Sequence, residues 1–254
     1  MPDPAHAVWV SFPSGADQIN GYLALPEGRP RPPVAIMVHE NLGVTEHRRQ
    51  VTELLAAEGI ACLTVDLYSR IGGRPPQDYN TAEERRAKAF LAARDEQAVP
   101  DLDAALDYLA GRDDVDASRA AAIGFCLGGG LVLAWAAQTD RLACAVSLYG
   151  LPELPPAYSP TGRTRSRIDT ADQVRCPLQA HFGGADHVIP LDQVARLGDA
   201  LKRSGQHTEV HVHDGAGHAY HDDTHPSYHP QAAAATWESS VAFMKEHLFT
   251  KEQP

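Results

Sequence analysis

The stretch Ala120-Ala121-Ala122-Ile123-Gly124-Phe125-Cys126-Leu127-Gly128-Gly129-Gly130 constrains the fold of this chain more than any other. An apolar run enters a cluster of glycines, and residues 131–138 leave it with a helical pattern. Gly-x-Cys-x-Gly at such a junction is the Gly-x-Ser-x-Gly turn with cysteine in place of serine. The central residue of that turn sits in a strained backbone conformation, and bulk beside it would block the approach of strand to helix. The side chain is then presented above the carboxyl end of a sheet, where open α/β sheets bind ligands.

The rest of the chain supplies such a sheet. Val34-Ala35-Ile36-Met37-Val38 and residues 60–65 are continuous apolar runs, expected where both faces of a strand are covered. Residues 143–148, 178–182 and 208–213 read as further strands. Helical patterns lie between them, over 46–58, from Thr81 onward, and over 99–109, 191–203 and 232–248. Val51, Leu54 and Leu55 read as the apolar stripe of the first, which Gly59 ends. Residues 8–12 and 19–25 flank a turn and read as a hairpin. The alternation predicts an α/β fold, with a mostly parallel twisted sheet, helices on both faces and an N-terminal antiparallel hairpin. The 254 residues suit one domain over 1–254. Residues 151–172, with Pro152, Pro155, Pro156 and Pro160, read as an irregular insertion able to form a lid. Arg163, Arg165 and Arg167 within it read as solvated.

Charge and cysteine usage exclude several classes. Lys+Arg is 22 against 33 for Asp+Glu, a net charge of −11, which opposes nucleic-acid or anionic-membrane partners. No run approaches the ~20 apolar residues of a membrane span. Met1-Pro2-Asp3-Pro4 has neither the basic nor the apolar region of a leader. The four cysteines form no Cys-x-x-Cys pair, so a cytoplasmic protein with reduced thiols is expected. Cys62 and Cys144 fall in apolar strands and Cys176 precedes a proline, which gives them structural roles. Oligomeric state is not legible.

Cys126 needs a base and an acid from later loops, in the chain order nucleophile, acid, base. Asp186 follows the strand at 178–182, and His218 follows the strand at 208–213, so both reach the same sheet edge. His218 is the candidate base, and Asp186 the group that orients it. Plainer roles are a buried structural cysteine, a turn aspartate and a surface histidine. Two other chemistries stay open. His211, His213, His218, His221, His225 and His229 are of the types that serve metal-dependent hydrolases, although no spacing among them matches a tight site and no metal is expected. His211 and His213 alternate onto one strand face, toward solvent or a covering helix. A thiol at the turn could also serve a non-hydrolytic redox or binding protein.

Val38-His39-Glu40-Asn41-Leu42-Gly43, Gly124-Phe125-Cys126-Leu127-Gly128-Gly129, Gly183-Gly184-Ala185-Asp186-His187 and Gly215-Ala216-Gly217-His218 together resemble the dienelactone hydrolase family, as does Asp66-Leu67-Tyr68. The similarity runs from about residue 8 to 248 and implies an α/β-hydrolase fold. It implies cleavage of a small-molecule ester or lactone through a covalent acyl-thioester, without a cofactor. The family's Cys-Asp-His triad falls on Cys126, Asp186 and His218. Glu40 falls on a carboxylate implied to contact the resting thiol and help deprotonate it. The implied oxyanion hole is the backbone N–H of Leu127 and of Asn41. Founding members hold a substrate carboxylate with two arginines, and an ungapped comparison puts Glu83 and Asp222 at those places. Arg85 or Arg86 reaches the first after a small shift; nothing basic stands at the second. A neutral ester or lactone is therefore as consistent as an anionic one. Phe90 and Tyr149 complete the candidate pocket.

Overall fold

A computed structural model describes residues 6–249. The start at residues 1–4, read above as lacking a leader, lies outside them. Strands β1 (His6–Ser14) and β2 (Asp17–Leu25) form the predicted hairpin. Its turn is shorter than expected: Gly15 and Ala16 alone close it, with Gly15 at φ 60°, and Pro13 is part of the strand. Proline fits there because β1 is the sheet's outermost strand, where a missing N–H is tolerated.

β3 (Pro33–Val38), β4 (Ala61–Val65), β5 (Asp116–Phe125), β6 (Cys144–Leu148), β9 (Leu178–Gly183) and β10 (Thr208–His213) complete the sheet, in the order β1-β2-β4-β3-β5-β6-β9-β10. From β4 to β10 all neighbours are parallel, and β2 joins β4 antiparallel. β3, β4, β6 and β9 are buried at every position, as expected for the apolar runs of β3 and β4; in β9 the burial extends to the polar Gln179 and His181. Helices α1 (Glu46–Ala57), α2 (Ala82–Ala92), α3 (Asp95–Ala110), α4 (Leu127–Ala136), α5 (Leu191–Arg203) and α6 (Pro230–Leu248) surround it. They cover both faces. On β10, Val210 packs toward Gly198 of α5, while His213 reaches Thr236 of α6. This is the mostly parallel α/β architecture the alternation predicts, with the covering helix beneath His211 and His213.

Three expectations need correction. Leu54 is not part of the α1 stripe; it is 55% exposed, and Arg48, Val51, Thr52, Leu55 and Ala56 form the buried face. α3 begins at Asp95, four residues before its apolar pattern starts. The third concerns residues 151–172, which hold more order than a loose insertion. β7 (Glu153–Leu154) pairs antiparallel with β8 (Arg165–Ser166), and 3-10 turns cover Pro156–Tyr158 and Ile168–Gln173. Arg163 is exposed, as expected. Arg167 is not: it is 4% exposed, donates to Asp95 Oδ1 at 2.7 Å and to the Leu151 carbonyl at 3.0 Å. Arg165 pairs with Glu96 and Asp95. Asp95 opens α3 with its carboxylate buried, and a charge so placed needs a cationic partner. Among the described residues, no helix is long and apolar enough to cross a membrane.

Candidate active site

Cys126 lies between β5 and α4 with φ 52° and ψ −111°, a conformation L-residues seldom adopt. Close packing forces the bend. A Cβ on Gly124 would stand 2.3 Å from the Gly128 carbonyl oxygen, and one on Gly128 would stand 2.2 Å from that of Val38. Glycine at both positions lets α4 start directly against β3 and β5. The Cys126 N–H donates to the Leu148 carbonyl at 3.0 Å, tying the turn to β6. Leu127 is the first residue of α4, so its N–H has no carbonyl within the helix and adjoins the positive end of the helix dipole.

The loops after β9 and β10 bring two side chains to the sulfur. His218 Nε2 is 3.1 Å from Cys126 Sγ, and His218 Nδ1 is 2.8 Å from Asp186 Oδ2. The other oxygen, Asp186 Oδ1, accepts the backbone N–H of Val188 at 2.7 Å and of Ile189 at 3.1 Å. Asp186 thus fixes both its own loop and the imidazole, with Nδ1 as the protonated nitrogen. Burial by itself would push the His218 imidazole down. The negative charge available at Cys126 and the hydrogen bond donated to Asp186 outweigh it, and His218 is pushed up to about 10. The ring of Tyr149 stands edge-on to His218 at 5.3 Å and keeps it from turning.

Glu40, just beyond β3, is engaged elsewhere. Its Oε2 accepts Nε of Arg48 at 3.0 Å and Nη2 of Arg48 at 2.7 Å. Among the described residues no hydrogen bond joins Glu40 to Cys126, in contrast to the contact the family resemblance implies; the Arg48 guanidinium holds the carboxylate instead. Arg48 is 1% exposed and its Cζ stands over the Phe125 ring, 3.5 Å from the centroid.

Above the sulfur is a cavity of about 190 Å³. Glu40, Asn41, Arg85, Arg86, Phe90, Cys126, Tyr149 and His218 all line it, so every site residue predicted from sequence except Asp186 and Leu127 opens onto one space. Asp186 acts from behind His218, and Leu127 is buried beneath the turn. Phe90 stacks on Tyr158 at 4.8 Å and 18°, forming an aromatic wall between α2 and the 151–172 segment. Sequence reading passed over Arg48, Tyr158 and Leu151. Arg48 had a usable signal: it precedes Val51, Thr52 and Leu55 by three, four and seven residues, the spacing of one helix face. Tyr158 carried none, since its place depends on the fold of an irregular segment.

The C-terminal histidines do not converge. His211 and His213 both stack on His181, at 4.9 Å and 5.4 Å, beneath α6. Among the described residues the one group of three with ligand atoms within 4.8 Å of one another is His47, Asp222 and Asp223, which includes none of them.

Comparison with known proteins identifies the family. The sequence profile described as "Dienelactone hydrolase family" matches residues 19–248. A protein of Escherichia coli named "Putative carboxymethylenebutenolidase" is 32% identical over 247 residues, covering 96% of this chain and 89% of that one. A Bradyrhizobium protein named "Probable 2-oxo-3-(5-oxofuran-2-ylidene)propanoate lactonase" is 28% identical over 244 residues, covering 96% and 95%. The crystal structure of a "Putative Dienelactone Hydrolase" from Klebsiella pneumoniae subsp. pneumoniae superposes with a TM-score of 0.87 at 30% identity, over 96% of this chain and 100% of that one. With its α/β-hydrolase fold and a profile match across most of its length, the chain belongs to the dienelactone hydrolase family.

Proposed function

We propose that this protein hydrolyses a carboxylic ester or lactone through an acyl-thioester on Cys126. The relay Cys126 Sγ to His218 Nε2 to Asp186, at 3.1 Å and 2.8 Å on the floor of a cavity, is the observation that supports it. His218 takes the thiol proton, and the sulfur attacks the carbonyl carbon. The oxyanion that forms is held by the N–H groups of Leu127 and Asn41. Collapse of the intermediate breaks the bond to the leaving oxygen, which receives the proton from His218 Nε2. In a lactone the leaving alcohol stays tethered to the acyl chain. His218 then deprotonates water, the hydroxide attacks the thioester, and the sulfur leaves as the acid forms. No cofactor takes part.

The cavity suits a small substrate. The aromatic wall of Phe90 and Tyr158 favours a flat, unsaturated or ring-containing acyl group, and Arg85 and Arg86 supply positive charge at one side. Relatives named as a carboxymethylenebutenolidase and a lactonase point the same way.

An activated aryl ester tests this reading. The wild-type protein should release a burst of aryl alcohol equal to the enzyme concentration and then turn over steadily. Cys126→Ala should fold with an unchanged circular dichroism spectrum and show neither phase. A Cys126→Ala protein that keeps a near-normal rate refutes the mechanism, and loss of wild-type activity on chelation points to a metal instead.

A further inference from the structure

Arg48 is buried, yet the sheet-facing positions of α1 otherwise carry Val51, Thr52, Leu55 and Ala56. Its charge has one carboxylate partner, Glu40, and both hydrogen bonds go to the same oxygen, Oε2. The guanidinium also rests on Phe125, the residue before the nucleophile, with Cζ 3.5 Å from the ring centroid. The backbone N–H of Arg48 donates to the Thr45 cap at 3.2 Å, which anchors the start of α1. Swinging Glu40 toward Cys126 would break both carboxylate hydrogen bonds of this cation and leave it only the charge of Asp222, which makes no ion pair with it, in a region it cannot leave.

We propose that Arg48 is a positioning residue that holds the Glu40 side chain turned away from Cys126, so that the thiol proton passes to His218 and not to Glu40. The S–H bond breaks, its electron pair stays on sulfur, and the proton forms the Nε2–H bond of an imidazolium. Glu40 takes no part in this transfer. The inference rests on the reading of Cys126 as nucleophile.

The other groups around the pair do not replace Glu40 as acceptor. Burial pushes the Tyr68 and Tyr149 hydroxyls well up, and it pushes the His221 imidazole down to about 3. Asp222 is raised by burial but lowered further by its two bonds from Thr224, and it faces His47. Arg85 lines the same cavity and offers no base. Among the described residues, His218 is the base in hydrogen-bond contact with the sulfur.

The sign of a pH shift tests the proposal. The rate of Cys126 alkylation by iodoacetamide is measured against pH on the full chain, with Cys126→Ala as the blank. In Glu40→Gln the unopposed Arg48 cation favours the thiolate, so the midpoint should stay or fall. In Arg48→Met the freed carboxylate disfavours it, and the midpoint should rise by about one pH unit. The double variant should return to the wild-type midpoint. A rise in Glu40→Gln of about half a unit or more overturns the proposal, because it makes Glu40 the thiol's base. An unchanged midpoint in a folded Arg48→Met also overturns it. If Arg48→Met does not fold, Glu40→Gln alone decides by its sign. Retention of turnover after complete alkylation would count against Cys126 as nucleophile, not against the role of Arg48.

Discussion

Asp186 turns one carboxylate oxygen to His218 Nδ1 at 2.8 Å and uses the other to hold the N–H groups of Val188 and Ile189. One residue therefore sets the histidine's tautomer and the shape of the loop it comes from. Asp186→Asn should separate the two roles. The amide oxygen can still accept the loop N–H groups, but an NH₂ facing Nδ1 forces the proton onto the wrong nitrogen. We expect kcat/KM to fall by roughly 10³–10⁴-fold while the melting temperature moves by only a few degrees. Steady-state kinetics beside thermal denaturation would show it, and an equal loss of stability and activity would contradict it.

The backbone at Cys126, with φ 52°, holds strain that only a glycine escapes. Replacing Cys126 by glycine should give a protein more stable than Cys126→Ala by about 1–2 kcal/mol, the order of cost for an L-residue in such a region. Both variants should be inactive. Urea unfolding of the pair isolates the strain, since neither carries the thiol.

Arg167 and Asp95 are each buried, and their 2.7 Å bond pins the 151–172 segment to the start of α3. Arg167→Met leaves Asp95 with only Arg165 at 3.4 Å. A loss of about 3 kcal/mol is expected, because an uncompensated carboxylate stays behind. Limited proteolysis should cut first between residues 151 and 172. Unfolding at the wild-type denaturant midpoint would rule this out.

The stacked imidazoles under α6 make the fold acid-sensitive. Burial pushes His181 down to about 3, with the neighbouring His211 and His213 adding to it. In the unfolded chain the same imidazole titrates near about 6.5. Between these values the unfolded state binds a proton that the folded state does not, so stability falls as pH drops below about 6.5 and levels off near about 3. The slope from this group approaches roughly 1.4 kcal/mol per pH unit. Urea midpoints taken from neutral pH downward should show the decline, and His181→Gln should make it shallower, His221, likewise pushed down to about 3, keeping its own share. An identical slope in the variant would remove His181 as its source.

Much of this was readable in the sequence, for definable reasons. Cys126, Asp186 and His218 each follow a strand and sit among glycines, so period and punctuation place them at one sheet edge without any three-dimensional information. The same reading failed for Arg48 and Arg167. Charged residues are assigned to solvent by default, and each is buried only because a carboxylate far along the chain, or eight residues away across a loop, meets it. Leu54 failed in the reverse sense, since an apolar residue adjacent to a helical stripe was counted within it. The Arg167–Asp95 pair leaves no periodic trace, whereas Arg48 keeps the spacing of its helix face. The polar first turn of α3 carries Asp95 and Glu96, an acidic helix start that an apolar pattern passes over.

The stacked rings of Phe90 and Tyr158 belong to α2 and the 151–172 segment, whereas the relay hangs from the ends of β5, β9 and β10. On the proposed mechanism, chemistry and selectivity fall to separable parts of the chain. Exchange of these two outer pieces between related proteins should transfer preference for one acyl group over another while the turnover machinery stays as it is. Divergence of substrate range on this scaffold has a short route, one that never disturbs the sheet.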